Sequence, residues 1–280
     1  MHIDGKVVAK QIEHYISNQV LNFTTIPTMG IILVGDRPDS ELYVKLKLKK
    51  CKELGVGCNI FRFDLTTKQS EILEKVNQLN DDETIHGILV QLPLPSHIDE
   101  YTIINAVSYN KDIDGFHDKN VAKSIQGNDP LFYSCTPRAI LKILEFYEIS
   151  IQGKLICIVG SGHVGKMVGN LLLKEEATVL FINRSTKNKK ELVYQADIVI
   201  ACCGQPMLIK EDWVKDDAFI IDVGINRIED SSRKSGYRTV GDVDYENVIK
   251  KASVNHLTVG PVTIMILIEQ LVKGFKLNYL

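Results

Sequence analysis

Four short segments carry side chains able to do chemistry, and they fall into two kinds. Gly160-Ser161-Gly162-His163-Val164-Gly165 follows the apolar run Leu155-Ile156-Cys157-Ile158-Val159. A glycine-rich turn between a strand and a helix lets the backbone approach a pyrophosphate, and the first helical N–H groups supply the donors. The other three segments lie upstream. Tyr43 and Lys47 are i and i+4, so they share a helix face. A lysine desolvated beside an aromatic ring has a lowered pKa and becomes useful for proton transfer. Gln91, in Gln91-Leu92-Pro93-Leu94-Pro95, ends a buried run, at the edge where open α/β sheets bind ligands. Asp112 and Asp114 flank Ile113 ahead of Gly115. Each upstream residue also has a plainer reading. Lys45, Lys47, Lys49, Lys50 and Lys52 together look like a solvated helix face, which spacing alone favours. Gln91 can simply end a strand before a proline turn, and Asp-Gly is a turn signal.

Elements that would position these groups alternate along the chain. Residues 29–34 are a continuous apolar run, as expected of a strand buried on both faces, and 85–92 reads as another buried strand, stopped by Pro93 and Pro95. Ser40 can cap a helix that ends near Leu54, with Gly55 just past its end. A strand over 60–63 and helices over 66–80 and 98–107 complete the first half. In the second half, Thr136-Pro137 reads as an N-cap followed by proline at the first helical position, opening a helix to about Tyr147. Strands over 155–159, 178–182, 197–201 and 219–223 follow, separated by helices from Val164 and near 190–194. Residues 263–275 form one apolar-rich helix, and the linker is expected in 115–129. The pattern is that of an α/β protein with two layered, mostly parallel sheets.

The bulk numbers exclude several classes. At 280 residues the chain suits one large or two ordinary domains. Hydrophobic residues at 45%, charged residues at 24% and a net charge of −2 are those of a globular protein without an electrostatic footprint for nucleic acid or membrane. No apolar run reaches the ~18 residues of a membrane span. Met1-His2-Ile3-Asp4-Gly5-Lys6 has no charged-then-apolar export pattern, and a cytoplasmic location is expected. Six cysteines show no C-x-x-C pair or metal-ligand set, so no metal is expected and the thiols read as reduced, mostly buried hydrophobes. The second strand of the nucleotide unit leads into Asn183-Arg184-Ser185-Thr186-Lys187 rather than the acid that binds the ribose of NAD. A guanidinium and hydroxyls suit an added phosphate, which favours NADP over NAD; a solvated basic loop is the rival reading.

Taken together, these segments resemble the bifunctional methylenetetrahydrofolate dehydrogenase/cyclohydrolase family over nearly the whole chain. The likeness runs through Ile3-Asp4-Gly5-Lys6, Ser40 with Tyr43-Val44 and Lys47, residues 87–95, and Lys111 to Phe116. It continues through Cys135-Thr136-Pro137-Arg138, Thr186-Lys187-Asn188, Gly204 with Pro206, Asp222-Val223-Gly224-Ile225-Asn226 and Gly241-Asp242-Val243. The resemblance implies two α/β domains around a cleft, the second a Rossmann-type dinucleotide-binding domain, in a homodimer. A folate-binding catalytic domain would span 1–114 and 260–280, and an NADP-binding domain 115–259. It implies hydride transfer from methylene-tetrahydrofolate to NADP, then hydration of the methenyl cation to formyl-tetrahydrofolate. On this likeness Tyr43 stacks on the folate rings, Lys47 assists the hydrolytic proton transfers, Gln91 tunes Lys47, and Asp114 anchors the pterin. Val90, Leu92, Pro93, Gly260, Pro261 and Thr263 would also line the folate. The cofactor would rest on Gly160, Ser161, Gly162, His163, Val164, Gly165, Arg184, Ser185, Thr186, Cys203, Gly204 and Ile225.

Two departures stand out. The family's Gly-x-Ser-x-x-Val-Gly-x-Pro loop is one residue shorter here, with Met167 where proline is usual. The Pro-Gly-Gly ahead of the last helix is replaced, leaving His256, Leu257 and Thr258 before Val259-Gly260-Pro261. Bulkier residues there would narrow or reshape the folate site. Alternatives are therefore a dehydrogenase with weak or absent cyclohydrolase activity and a non-enzymatic nucleotide-binding relative. Joint retention of Tyr43, Lys47, Gln91 and Asp114 argues against the latter.

Overall fold

The computed structural model describes residues 3–233 and 236–279. Met1 and His2 of the N-terminal reading, and Leu280 of the segment 260–280, lie outside the described residues. The chain divides into two compact units, one of Lys10–Cys135 with Ile264–Leu280 and one of Met1–Ala9 with Thr136–Thr263. The first helix, α1 (Gly5–Val20), passes from one unit to the other.

In the unit built around Lys10–Cys135, β1 (Thr28–Val34), β2 (Gly57–Phe63) and β3 (Gly87–Val90) form a parallel sheet in the order β2-β1-β3. β1 is central, which is why its apolar run is buried almost throughout. Helix α2 (Pro38–Glu53) starts with proline, whose missing N–H costs nothing at a first turn. Ser40 therefore lies inside α2 and is buried, and Arg37, not Ser40, holds the N-cap position. Helix α3 (Gln69–Asp81) buries Ile72, Val76 and Leu79 at helical spacing, against a core that includes Ile32, Ile88 and Ile103. Asp99 caps α4 (Glu100–Ala106) by accepting the Thr102 N–H.

The expected linker is not one. Residues 118–125 form α5 (Asp118–Ile125) within this same unit. The Asp112 carboxylate accepts the N–H groups of Phe116 (3.2 Å) and His117 (2.9 Å) and the Asn120 side-chain amide (2.7 Å), and Asn120 accepts the Phe132 N–H at 3.1 Å. Polar groups that would be solvated in a linker are satisfied internally here.

In the other unit, helix α6 starts at Cys135 (Cys135–Phe146), so Thr136 is inside it rather than at its cap. The strands β4 (Leu155–Val159), β5 (Thr178–Ile182), β6 (Ile198–Ala201) and β7 (Phe219–Asp222) match the expected runs. Helices α7 (His163–Lys174) and α8 (Lys189–Tyr194) separate them. An antiparallel hairpin of β8 (Asn226–Glu229) and β9 (Tyr237–Val240), a short α9 (Tyr245–Val248) and an added strand β10 (Ser253–His256) go beyond the sequence reading. The parallel sheet runs β10-β7-β6-β4-β5, so the order reverses beside β4. Its core gathers Cys157, Val199, Ile220, Val243 and Val254. The last helix, α10 (Val259–Tyr279), completes the chain. Among the described residues no helix is long and apolar enough to cross a membrane.

Candidate active site

Lys47 is not on a solvated face. It lies with Val44 and Cys51 on the buried stripe of α2, while Lys45, Lys49 and Lys52 are exposed. Only 9% of Lys47 is accessible, and its Nζ donates to Gln91 Oε1 at 2.9 Å. Gln91 follows β3, donates its own backbone N–H to Ile32 (2.9 Å) and its Nε2 to the Leu92 carbonyl (2.9 Å). Both ends of the amide are thereby fixed, with Oε1 presented to the amine. Burial lowers the Lys47 pKa from the usual lysine range; the Asp114 carboxylate opposes that shift, as do more weakly the thiols of Cys135, Cys58 and Cys51. Burial raises the half-buried Asp114 carboxyl, against the pull of Lys47. Tyr43, one turn before Lys47, is half-buried, and burial with the Asp39 charge raises its hydroxyl pKa, so the ring is a neutral surface. Val90 is buried, Leu92 half-buried and Pro93 exposed after a cis Leu92–Pro93 bond. An amine whose pKa burial lowers, one carboxyl and a fixed amide can take a proton from water and return it.

The segment that carries Asp114 is fixed on both sides. Residues 111–113 run beside β3, where the Ile88 N–H donates to the Lys111 carbonyl at 2.7 Å. Asp112 anchors the turn that follows; burial pushes its carboxyl up to about 7, against the Asn120 and backbone hydrogen bonds. Gln270 of α10 completes the support and was not singled out by sequence. Its Nε2 donates to the carbonyls of Ile113 (2.8 Å) and Tyr133 (2.9 Å), and its Oε1 accepts the Tyr133 N–H (2.7 Å). The available signal was an amide inside an apolar helix, Ile264 to Val272, where an unpaired polar group would be costly.

In the other unit the glycine turn joins β4 to α7 at the reversal of strand order, where α/β sheets bind nucleotides. Gly160 has φ +130°, and a Cβ there would meet the Cys202 carbonyl at 2.3 Å. A Cβ on Gly165 would lie 2.1 Å from the Gly160 carbonyl. Gly162 differs, since a Cβ there would meet nothing within 4 Å. The protein itself does not require glycine at 162, and the open space suits an approaching pyrophosphate. Ser161 and His163 are exposed, and Val164 is half-buried. The Gly160 N–H donates to the Ile182 carbonyl at 2.9 Å, which brings the turn beside the loop that follows β5. Arg184 and Ser185 are exposed there, and Thr186 Oγ1 accepts the Asn183 N–H at 3.0 Å. Cys203 and Gly204 follow β6, and Ile225 is 49% exposed after β7. A dinucleotide carrying an extra phosphate fits this set of donors and this open turn.

The replaced segment ahead of α10 is tied into the same unit. Thr258 Oγ1 accepts the Gly5 N–H (2.9 Å) and the Asn255 side-chain amide (2.8 Å). Gly5 is needed there because a Cβ would meet the Thr258 carbonyl at 2.2 Å. Gly260 and Pro261 are half-buried in the first turn of α10, and Thr263 Oγ1 donates back to the Val259 carbonyl at 3.1 Å. Leu257 has φ +54°, the left-handed region that a branched side chain enters at a cost of about 1–2 kcal/mol. Leu257→Gly is therefore expected to be neutral or to stabilise by up to about 1 kcal/mol in urea unfolding, unlike most Leu→Gly changes. A loss above about 1 kcal/mol would show instead that Leu257 packing outweighs the backbone strain.

A parallel sheet with a nucleotide turn at its switch point, in one chain with a buried lysine–amide–carboxyl cluster, defines a dinucleotide-dependent α/β enzyme. Residues 3–114 match the profile of the tetrahydrofolate dehydrogenase/cyclohydrolase catalytic domain, and residues 134–279 match that family's NAD(P)-binding domain. The chain is 43% identical to the bifunctional protein FolD of Chlorobium phaeobacteroides strain BS1, over 98% of this chain and 96% of that protein. Among solved structures it is similar to the bifunctional enzyme FolD of Campylobacter jejuni (TM-score 0.94, 37% identity, 99% of each chain). It is also similar to the Trypanosoma brucei methylenetetrahydrofolate dehydrogenase-cyclohydrolase complexed with NADP cofactor and inhibitor (TM-score 0.95, 32% identity, 99% of this chain and 98% of that one). The chain belongs to the tetrahydrofolate dehydrogenase/cyclohydrolase family.

Proposed function

We propose that this protein oxidises methylene-tetrahydrofolate to methenyl-tetrahydrofolate with NADP and hydrolyses the product to formyl-tetrahydrofolate. The observation that carries this reading is Lys47, buried, bonded to Gln91 and under the charge of the Asp114 carboxyl. NADP supplies the hydride acceptor. Loss of hydride from the methylene carbon leaves an electrophilic cation, and a fixed lysine ammonium beside it would oppose that charge. A lysine whose pKa is lowered by burial avoids this repulsion, accepts the proton that water loses as it adds to the methenyl carbon, and returns it to the folate nitrogen that leaves as its C–N bond opens. Gln91 orients the amine, Tyr43 offers a ring face to the folate, and Asp114 binds the pterin. Val90, Leu92, Pro93, Gly260, Pro261 and Thr263 line the folate in this reading.

The dinucleotide is held by Gly160 to Gly165, with Cys203, Gly204 and Ile225 towards the nicotinamide. Arg184, Ser185 and Thr186 receive the ribose phosphate and give NADP preference over NAD. We assign the catalytic, folate-binding role to 1–114 with 260–280, the cofactor role to 115–259 except for 115–135, which pack in the unit of Lys47, and a cytoplasmic homodimer as the working form. The family membership and the buried lysine support this reading. The test is to supply methylene-tetrahydrofolate with NADP or NAD and follow reduced cofactor and methenyl absorbance together. Reduced NADP without methenyl accumulation is expected. Accumulating methenyl product would leave a dehydrogenase alone, and no turnover with either cofactor would overturn the proposal.

A further inference from the structure

Two buried carboxylates take no part in that chemistry. Asp222 ends β7 and is 1% exposed, and Asp242 follows β9 and is 0% exposed. Asp242 Oδ2 accepts the N–H groups of Cys203 (2.7 Å) and Gly204 (2.9 Å), and its Oδ1 accepts the Asn226 side-chain amide (2.8 Å). Asp222 Oδ1 accepts the N–H groups of Gly224 (3.1 Å) and Asp242 (2.9 Å), while its Oδ2 accepts that of Val243 (3.2 Å). His256 Nδ1 lies 3.1 Å from the same Oδ2, with its ring stacked on Tyr245 at 4.5 Å. The packing leaves no slack. A Cβ on Gly224 would come 2.4 Å from the Asp242 carboxyl carbon, and one on Gly241 would come 1.7 Å from Asp222 Oδ2.

A buried carboxylate held mainly by backbone N–H groups is costly unless every oxygen is satisfied, and it fixes the geometry of whatever satisfies it. Asp242 joins the turn after β6 to the segment after β7. Cys203 and Gly204 belong to the first, and Ile225 sits in the second between Gly224, bonded to Asp222, and Asn226, bonded to Asp242. We infer that Asp242 is a positioning residue for the dinucleotide: its carboxylate sets the spacing between the Cys203–Gly204 turn and Ile225, and Asp222 in turn fixes Asp242. The replaced residue His256 adds a strut to this frame from the edge strand. The inference rests on the dehydrogenase reading above, which assigns those turns to the cofactor.

Asp242→Asn keeps the shape and removes the charged acceptor, so an amide must face two N–H groups and the Asn226 amide. In the full-length protein KM for NADP is expected to rise about tenfold or more, as the turns lose their charge-assisted bonds. Hydrolysis of supplied methenyl-tetrahydrofolate needs no cofactor and should stay within about twofold, because these bonds lie within one unit. An unchanged KM, or a parallel fall in both activities, would overturn the role. NADP affinity is also measured by direct titration, so absent turnover in the unmodified enzyme would count against the dehydrogenase reading and not against the frame. If Asp242→Asn is insoluble, Asn226→Ala decides. Asn226 is half-buried, its loss frees one Asp242 oxygen, and NADP affinity should fall about threefold or more; no fall rejects the inference.

Discussion

Lys47→Ala is expected to lower methenyl hydrolysis by about 10²- to 10⁴-fold while NADP affinity stays within about twofold. The large effect follows from burial. Lys47 Nζ has one fixed partner in Gln91, at 2.9 Å, and a carboxyl in Asp114 that holds part of its charge. No other lysine of α2 can substitute, since Lys45, Lys49 and Lys52 are exposed and Lys50 is paired with Glu13 and Glu53. The pH profile gives a second readout. Burial lowers the Lys47 pKa, so the neutral amine accumulates below the usual lysine range. Hydrolysis should rise with pH through that lowered value, then level off, and the variant should lack the rising limb. Stability carries the same sign. Between the lowered folded pKa and the unfolded value of 10.5, the unfolded chain binds more protons than the native one. Stability therefore rises with pH across that window, by at most about 1.4 kcal/mol per pH unit, and Lys47→Met, which preserves shape, removes the slope. Equal loss of hydrolysis and of NADP affinity in the alanine variant would show that Lys47 holds the fold rather than the proton.

The sequence exposed local features well and non-local ones poorly. Both apolar strand runs, the glycine turn and the absence of an acid after β5 were readable because each depends on neighbours within a few residues. Lys47 was not. Its spacing among four other lysines favoured a solvated face, and only the packing of α2 shows that one lysine of the five lies on the buried stripe with Val44 and Cys51. Residues 115–129 read as a linker for a similar reason. Their order comes from Asp112 and Asn120, whose hydrogen bonds reach forward to Phe116, His117 and Phe132. Gln270 supports Ile113 from 157 residues away, a relation that no local pattern encodes. Asp222 and Asp242 were visible as parts of motifs, yet their joint frame appears only when three segments of the sheet edge are brought together. The hairpin β8–β9 and strand β10 escaped because their residues are largely polar and form no apolar run, even though Val254 and Asn255 of β10 are buried.

Two glycines of one turn should separate fold from ligand. Gly160→Ala places a Cβ 2.3 Å from the Cys202 carbonyl and asks an L-residue to hold φ +130°. Backbone must move to relieve both, so a loss of about 2–4 kcal/mol of stability is expected, together with loss of NADP binding. Gly162→Ala is the contrasting case. Its φ is −73°, and nothing lies within 4 Å of the added Cβ. Gly162 holds the N-cap position of α7, where alanine is a poorer residue, so stability should fall by no more than about 1 kcal/mol. NADP affinity should nonetheless drop about tenfold or more, because a methyl would occupy the space a pyrophosphate needs beside the helix N-terminus. Urea unfolding and cofactor titration of both variants check this. The pair matters more than either alone. If Gly162→Ala bound NADP as tightly as the unmodified chain, the open face of the turn would have no ligand role, and the cofactor would have to be sought away from the switch point beside β4. If instead it bound weakly but was as unstable as Gly160→Ala, the turn would be a packing feature throughout. Only a stable protein with impaired NADP binding assigns position 162 to the cofactor and position 160 to the fold.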